Sequence, residues 1–234
     1  MEIELDIIKK ALLAGRTMLS EHESKILLQS HGIPVTRELE IHDEKELMQA
    51  VKEISFPCVL KACSPHLSHK TEKNLIQLDI RNIREAREAF RNLIKAEEDD
   101  SGTVLVQEML RGTRELAIGL TRDQQFGTCV MFGLGGIFTE IFKDVSFRTA
   151  PIKKYDAIEM MNEIKAYKIL KGVRGMPSVD IDQLAEILII VSDIGLKQEK
   201  IREIDINPII LVGAQPVAAD ALIVLNPQAP NRCE

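Results

Sequence analysis

The sequence predicts an α+β protein with an α/β beginning, built as two lobes with a ligand cleft between them. Three observations predict it. Helical and strand periodicities alternate at first, short strand patterns then crowd around glycine turns, and two helical patterns lead into a closing β-hairpin. On this reading residues 1–20 form an N-terminal helix, 21–105 the first lobe, and 106–234 the second lobe with the hairpin.

The elements follow in order. Ile7, Ile8, Ala11 and Leu12 fall at helical spacing. Ser20 and Glu23 form a capping box ahead of Ile26, Leu27 and Leu28, and Gly32 with Pro34 supplies the stop. Asp43 with Glu46 opens a second capped helix through Leu47, Val51 and Ile54. Pro57 ends it, and Val59 to Cys63 reads as a strand. Ile76, Leu78 and Ile80 alternate as a half-buried strand, and Ile83–Glu98 is a charged helix with Ala86, Phe90 and Ile94 on one face. A turn at Asp99–Gly102 leads to a strand over Val104–Met109. Three further strands are expected at Glu115–Leu120, Thr128–Phe132 and Ile137–Ile141. Helices are expected over Tyr155–Leu170 and Ile181–Leu196, then strands Ile201–Leu211 and Pro216–Val224 around Gly213-Ala214-Gln215.

Composition narrows the function classes. Of 234 residues, 45% are hydrophobic and 28% charged, as in a globular protein. The net charge of −6 disfavours a non-specific nucleic-acid binder, and 4% aromatics without Trp leaves little for base stacking. No apolar run approaches the ~20 residues of a membrane span, so no membrane partner is expected. Glu2, Glu4 and Asp6 open the chain without an export leader, and Cys58, Cys63, Cys129 and Cys233 form no disulfide framework. A cytoplasmic location is expected.

Three constellations could carry chemistry. With the final turn centred near Ala214, antiparallel pairing makes Asn207 and Asp220 cross-strand neighbours, and Asp205 shares their face. Two carboxylates and an amide oxygen are hard donors suited to Mg²⁺. The alternative is the polar side of an edge hairpin, which Pro208 fits. The second constellation is Phe132-Gly133-Leu134-Gly135-Gly136, whose backbone amides could approach a phosphate or simply form a turn. The third is Lys61 within an apolar strand, with His69-Lys70-Thr71-Glu72 in the loop beyond. A lysine there needs water or an anion, and His69 beside Lys70 is a candidate nucleophile or an ordinary loop histidine.

Cys58, Cys63, His66 and His69 have a zinc-like spacing, but the two cysteines point to opposite faces of a strand, roughly 16 Å apart, so zinc is rejected. Glu115 and Glu140 are carboxylates in apolar strands that could hold a ribose or a metal, or face outward.

The assembled pattern resembles the ATP-grasp proteins, and more narrowly the separate β subunit of the ADP-forming acyl-CoA synthetases. The residues carrying the resemblance are Glu23-Ser24-Lys25, Gly32-Ile33-Pro34, Pro57 to Lys61, His69 to Glu72, Val106 to Met109, Arg114-Glu115-Leu116, Phe132 to Gly136, Lys143 to Arg148 with Pro151, and Asp205 to Pro208 with Asp220. It runs from about Ser20 to Val224. It implies a two-lobed ATP-grasp fold with ATP or ADP in the cleft. Lys61 would touch the phosphates, Gln107, Glu108 and Met109 would form the adenine-side hinge, and Glu115 would hold the ribose. Gly133, Gly135 and Gly136 would cover the phosphates, and Asn207 and Asp220 match Mg²⁺ ligands. His69 matches a histidine that relays a phosphoryl group, and Asp205 the acid that orients it. The resemblance also implies a CoA-binding α subunit that carries a phosphohistidine, in an α2β2 heterotetramer. One departure is Asn74, which stands where the family usually has glycine. Two other readings stay open: an ATP-grasp module that senses nucleotide without catalysis, and an ATP-grasp carboxylate–amine ligase.

Overall fold

The computed structural model describes residues 2–63, 75–96, 103–172 and 175–228. They group into two units: residues 20–22 with 36–110, and residues 1–19, 23–35 and 111–234. Helix α1 is Glu2–Leu13, and α2, Glu21–Ser30, begins in the smaller unit and continues in the larger. The α2 stop is the expected one. Gly32 takes φ +89°, and the Ile33 N–H reaches back to the Leu28 carbonyl, closing the helix as a Schellman turn does.

The smaller unit contains β1 (Glu38–Ile41), α3 (Glu44–Ile54), β2 (Cys58–Cys63), β3 (Ile76–Ile80), α4 (Ile83–Ala96) and β4 (Thr103–Glu108). The strands form an antiparallel sheet in the order β1-β4-β2-β3. Asp43 caps α3 by accepting from the Lys45 and Glu46 amides, while His42 N–H donates to the Glu46 carboxylate. The apolar stripes of α3 (Leu47, Ala50, Val51) and α4 (Ala86, Ala89, Phe90, Leu93) pack on Cys58, Leu60, Ala62, Val104 and Val106 of the sheet. Val59, Lys61, Leu105 and Gln107 point to the opposite face and are also buried. β3 departs from the half-buried strand expected: Leu78 is 66% exposed. The register slips by one residue against β2, and Asp79 takes φ +56°, so the bulge turns Leu78 outward. The turn expected at Asp99–Gly102 lies outside the described residues.

The larger unit is built on a six-stranded antiparallel sheet of β5 (Glu115–Asp123), β6 (Gly127–Leu134), β7 (Val145–Thr149), β8 (Ile201–Val212), β9 (Gln215–Ala218) and β10 (Leu222–Leu225). Its order is β10-β8-β5-β6-β7, with β9 on β8 beside β10. Helices α6 (Lys154–Glu163) and α7 (Ile181–Lys197) pack on it, over a core that includes Leu116, Ile118, Phe132, Met160, Leu188 and Ile206. Gly195 lets α7 approach the sheet, because a Cβ there would overlap Leu120. Arg122 ties the end of α7 to the sheet by donating to the carbonyls of Gly195, Gln198 and Ile201.

Three expectations fail here. The strand expected over Pro216–Val224 is broken at 219–221 into β9 and β10. Residues 137–141 are not a strand but lie in helix α5, Ile137–Phe142. Their β-favouring side chains suggested a strand, yet Ile137, Phe138, Ile141 and Phe142 repeat at helical intervals, and the Thr139 hydroxyl turns back onto the Leu134 carbonyl. β7 then forms where only a sequence motif had been noted. The expected helix Tyr155–Leu170 breaks at Ile164 into α6 and a 3-10 turn over Tyr167–Leu170. Asp144 holds that break by accepting from the Lys165 and Ala166 amides. Among the described residues no helix is long and apolar enough to cross a membrane.

Candidate functional site

The site begins with an irregularity in β8. Against β5, Leu116 pairs with Ile209 but Ile118 pairs with Ile206, so Ala117 faces both Asn207 and Pro208. This is a bulge, a device that re-aims side chains and that suits a proline, which has no N–H for the ladder. On its other side β8 pairs Asp205 with Leu222 and Ile209 with Ala218. Position 220 therefore stands opposite 207, where Ala219 N–H donates to the Pro208 carbonyl. The two registers thus bring positions 207 and 220 together, although 220 lies in the break between β9 and β10 rather than on a strand. The edge-hairpin reading fails: β8 has neighbours on both sides, and Pro208 marks a bulge.

Asp205 lies two residues before Asn207 and is half-buried. Burial first, then the charges of Glu203 and Asp220, push its carboxyl up to about 6. Three carboxylates thus share one region of negative field, beside the Asn207 amide oxygen. A divalent cation relieves such a field, and a sparse set of oxygens is how Mg²⁺ is usually held. The residues fit that ion. Among the described residues no three His, Cys, Asp or Glu side chains form a metal cluster, so the protein would supply only part of the cation's shell. Glu203 was missed by sequence reasoning, although the alternation Glu203-x-Asp205-x-Asn207 would have found it.

The glycine segment joins the same region. The Gly136 N–H donates to Asn207 Oδ1 at 2.8 Å, and the Gly135 N–H donates to the Glu115 carbonyl at 2.9 Å. Gly136 has φ +60°, and a Cβ on it would overlap the Glu115 carboxylate. Gly135 lies against the Leu116 backbone and Gly133 against Asp144. Glycine is required here so that the loop can close on β5. Glu115, Gly135, Gly136, Asn207, Asp205 and Asp220 are therefore brought together. An open groove of about 380 Å³ runs beside Asp205 and Asn207, with Thr139, Lys143, Val145 and Phe147 on its other side. Glu140 lies within α5, not in an apolar strand.

In the smaller unit Lys61 is buried, and its ammonium lies 2.8 Å from the Glu21 carboxylate, also buried. The anion demanded by a lysine in an apolar strand is thus at least partly supplied by a residue 40 positions away, which no local pattern could reveal. Gln107 is buried on β4 opposite Val59, and Glu108 is opposite Cys58. The Glu108 carboxylate accepts from the Arg37 backbone N–H and side chain. Met109 follows the end of β4 and is half-buried. Cys58 is buried, which pushes its thiol up to about 11 and leaves it inert. His66, His69 and Asn74 lie outside the described residues.

Comparison with known proteins gives the class. The model of the ATP-grasp domain matches residues 10–225, and the chain belongs to that family. Its relatives narrow the class further. It is 44% identical to the β subunit of ADP-forming acetate–CoA ligase I from Pyrococcus furiosus, over 94% of this chain and 97% of that protein. It superposes with a TM-score of 0.90 at 42% identity on the Ca. Korarchaeum cryptofilum dinucleotide-forming acetyl-coenzyme A synthetase 1 in complex with coenzyme A and Ca-AMPCP, covering 95% of this chain and 100% of that one. A second structure of that synthetase, with coenzyme A and Mg-AMPPCP, has its phosphohistidine segment pointing towards the nucleotide binding site. It matches with a TM-score of 0.83 at 43% identity, covering 95% of this chain and 100% of that one.

Proposed function

We infer that this chain is the nucleotide-handling β subunit of an ADP-forming acyl-CoA synthetase, interconverting acyl-CoA, ADP and phosphate with acid, CoA and ATP. The observation that carries the reading is the full-length match to β subunits of such ligases, joined to the Asn207–Asp220 juxtaposition at the β8 bulge. The partner is a CoA-binding α chain bearing a phosphohistidine, assembled as α2β2 in the cytoplasm.

In the ATP-forming direction the N–P bond on the α-chain histidine breaks as one to His69 forms, the proton that His69 gives up being balanced by the one that the released imidazole takes. The His69 N–P bond then breaks as a P–O bond to the ADP β-phosphate forms, and His69 takes a proton. Such transfers depend on positioning and charge neutralisation more than on covalent chemistry. Asn207 and Asp220 would hold Mg²⁺, which would neutralise charge on the nucleotide phosphates. Lys61, kept in place by Glu21, contacts the nucleotide phosphates. Gln107, Glu108 and Met109 line the adenine, and Glu115 accepts from the ribose hydroxyls. Gly133, Gly135 and Gly136 lie over the phosphates, with Gly136 oriented by Asn207. His69 relays the phosphoryl group on this side, with Asp205 orienting it.

Incubation with ATP labelled at the γ-phosphate and Mg²⁺ tests the reading. Acid-labile label is expected on the chain and its α partner, with the β-side label lost in His69→Ala. Nucleotide binding without label under any condition indicates a sensing module instead. Acid-stable product formed without a partner indicates a carboxylate–amine ligase.

A further inference from the structure

Helix α5 has an apolar outer face. Ile137, Phe138, Ile141 and Phe142 are 70%, 44%, 66% and 61% exposed, and Phe147 on β7 is 53% exposed. The Phe138 and Phe142 rings stack with centroids 5.7 Å apart, so they form one surface. The Thr139 hydroxyl offers that surface no polar relief, because it bonds inward to Leu134. Contiguous apolar surface of this kind on a globular protein marks a contact site.

Its position says what it contacts. α5 follows directly on Gly136, the residue bonded to Asn207, and Phe147 lines the groove that also contains Asp205 and Asn207. Thr139 of α5 and Lys143 at its C-terminal end line that groove too, so the helix that carries the stripe borders the region assigned to phosphate and metal. Three half-exposed phenylalanines and two isoleucines offer roughly 500 Å². A stable dimer needs about 800 Å² on each partner, so the patch is too small to hold a second copy of this chain. It suits a short segment that docks and leaves. We propose that the α5 stripe with Phe147 is the docking surface for the histidine-bearing segment of the partner α chain, gripping apolar side chains that flank its histidine. The proposal rests on the functional reading above. Transient docking is what the reaction demands, since the same histidine must return to the α chain to be rephosphorylated.

The test uses the assembled complex of full-length chains, with Ile141→Ser, Phe142→Ser and Phe142→Leu in this chain. The α chain is first labelled from inorganic ³²P-phosphate and acetyl-CoA, and label transfer to Mg-ADP is then followed in a single turnover. Each Ser variant is expected to slow transfer to ADP about tenfold. The labelling of the α chain, Mg-ADP affinity by calorimetry and the elution volume of the complex should stay unchanged, and Phe142→Leu should recover most of the rate. Transfer at the unsubstituted rate in both Ser variants overturns the docking surface while leaving the functional reading intact. Dissociation of the complex by either Ser variant assigns the stripe to static assembly and also overturns it. A labelled, unsubstituted complex that never passes label to ADP removes the functional reading and this proposal together.

Discussion

At Asp205 burial, then Glu203 and Asp220, raise the carboxyl to about 6. A carboxyl titrating higher in the folded than in the unfolded chain makes the folded state bind more protons, so stability falls as pH rises from about 4 to about 6. Asp205→Asn removes that loss. In EDTA the variant is expected to be about 1–3 kcal/mol more stable than the unsubstituted chain at pH 8 and equal to it at pH 4. Urea unfolding at the two pH values reads the difference, and a variant less stable at pH 8 contradicts the assignment. Gly136 gives a second residue-scale prediction, because its φ of +60° and the neighbouring Glu115 carboxylate both exclude a side chain. Gly136→Ala should cost about 2–3 kcal/mol and weaken Mg-ADP binding. Gly127→Ala, also at positive φ but with open space around it, should cost about 1 kcal/mol and leave binding alone. Equal binding in the two variants would show that the closure of the loop on β5 is irrelevant to the nucleotide.

At the scale of elements, α7 depends on one close approach. Gly→Ala inside a helix ordinarily stabilises by about 1 kcal/mol, but at Gly195 the new methyl would overlap Leu120 and press on Thr128. Overpacking of that kind costs about 1–3 kcal/mol, so Gly195→Ala should lower the thermal midpoint, and a raised midpoint would mean the helix is not seated there. Elements with local signals were legible in the sequence. Asp43 and Gly32 announced the ends of α3 and α2 because capping is local chemistry. The closing strands could be registered closely enough to pair Asn207 with Asp220, because antiparallel pairing needs only the position of the turn. Features set by tertiary contact were not legible. The inward-turned Thr139 belongs to a helix where propensity suggested a strand, the β8 bulge needs β5 beside it, and Glu21 meets Lys61 only in the folded chain. For the same reason sequence reasoning named Asp205, Asn207 and Asp220 but left Glu203 unremarked.

At the scale of the whole molecule, the chain spans 97% of a β subunit of ADP-forming acetate–CoA ligase and matches the ATP-grasp domain over residues 10–225. On the proposed reading it supplies nucleotide, cation and phosphoryl relay, while acyl and CoA chemistry belong to a second chain. Activity should therefore be a property of the pair. The most direct measurement supplies acetate, CoA and Mg-ATP to this chain, to the α chain, and to their mixture, and follows acyl-CoA together with the nucleotide product. Acetyl-CoA formed only by the mixture, with ADP and phosphate released in equal amounts, is the expected result. Acyl-CoA made by this chain alone, or a mixture that releases AMP, would contradict the account.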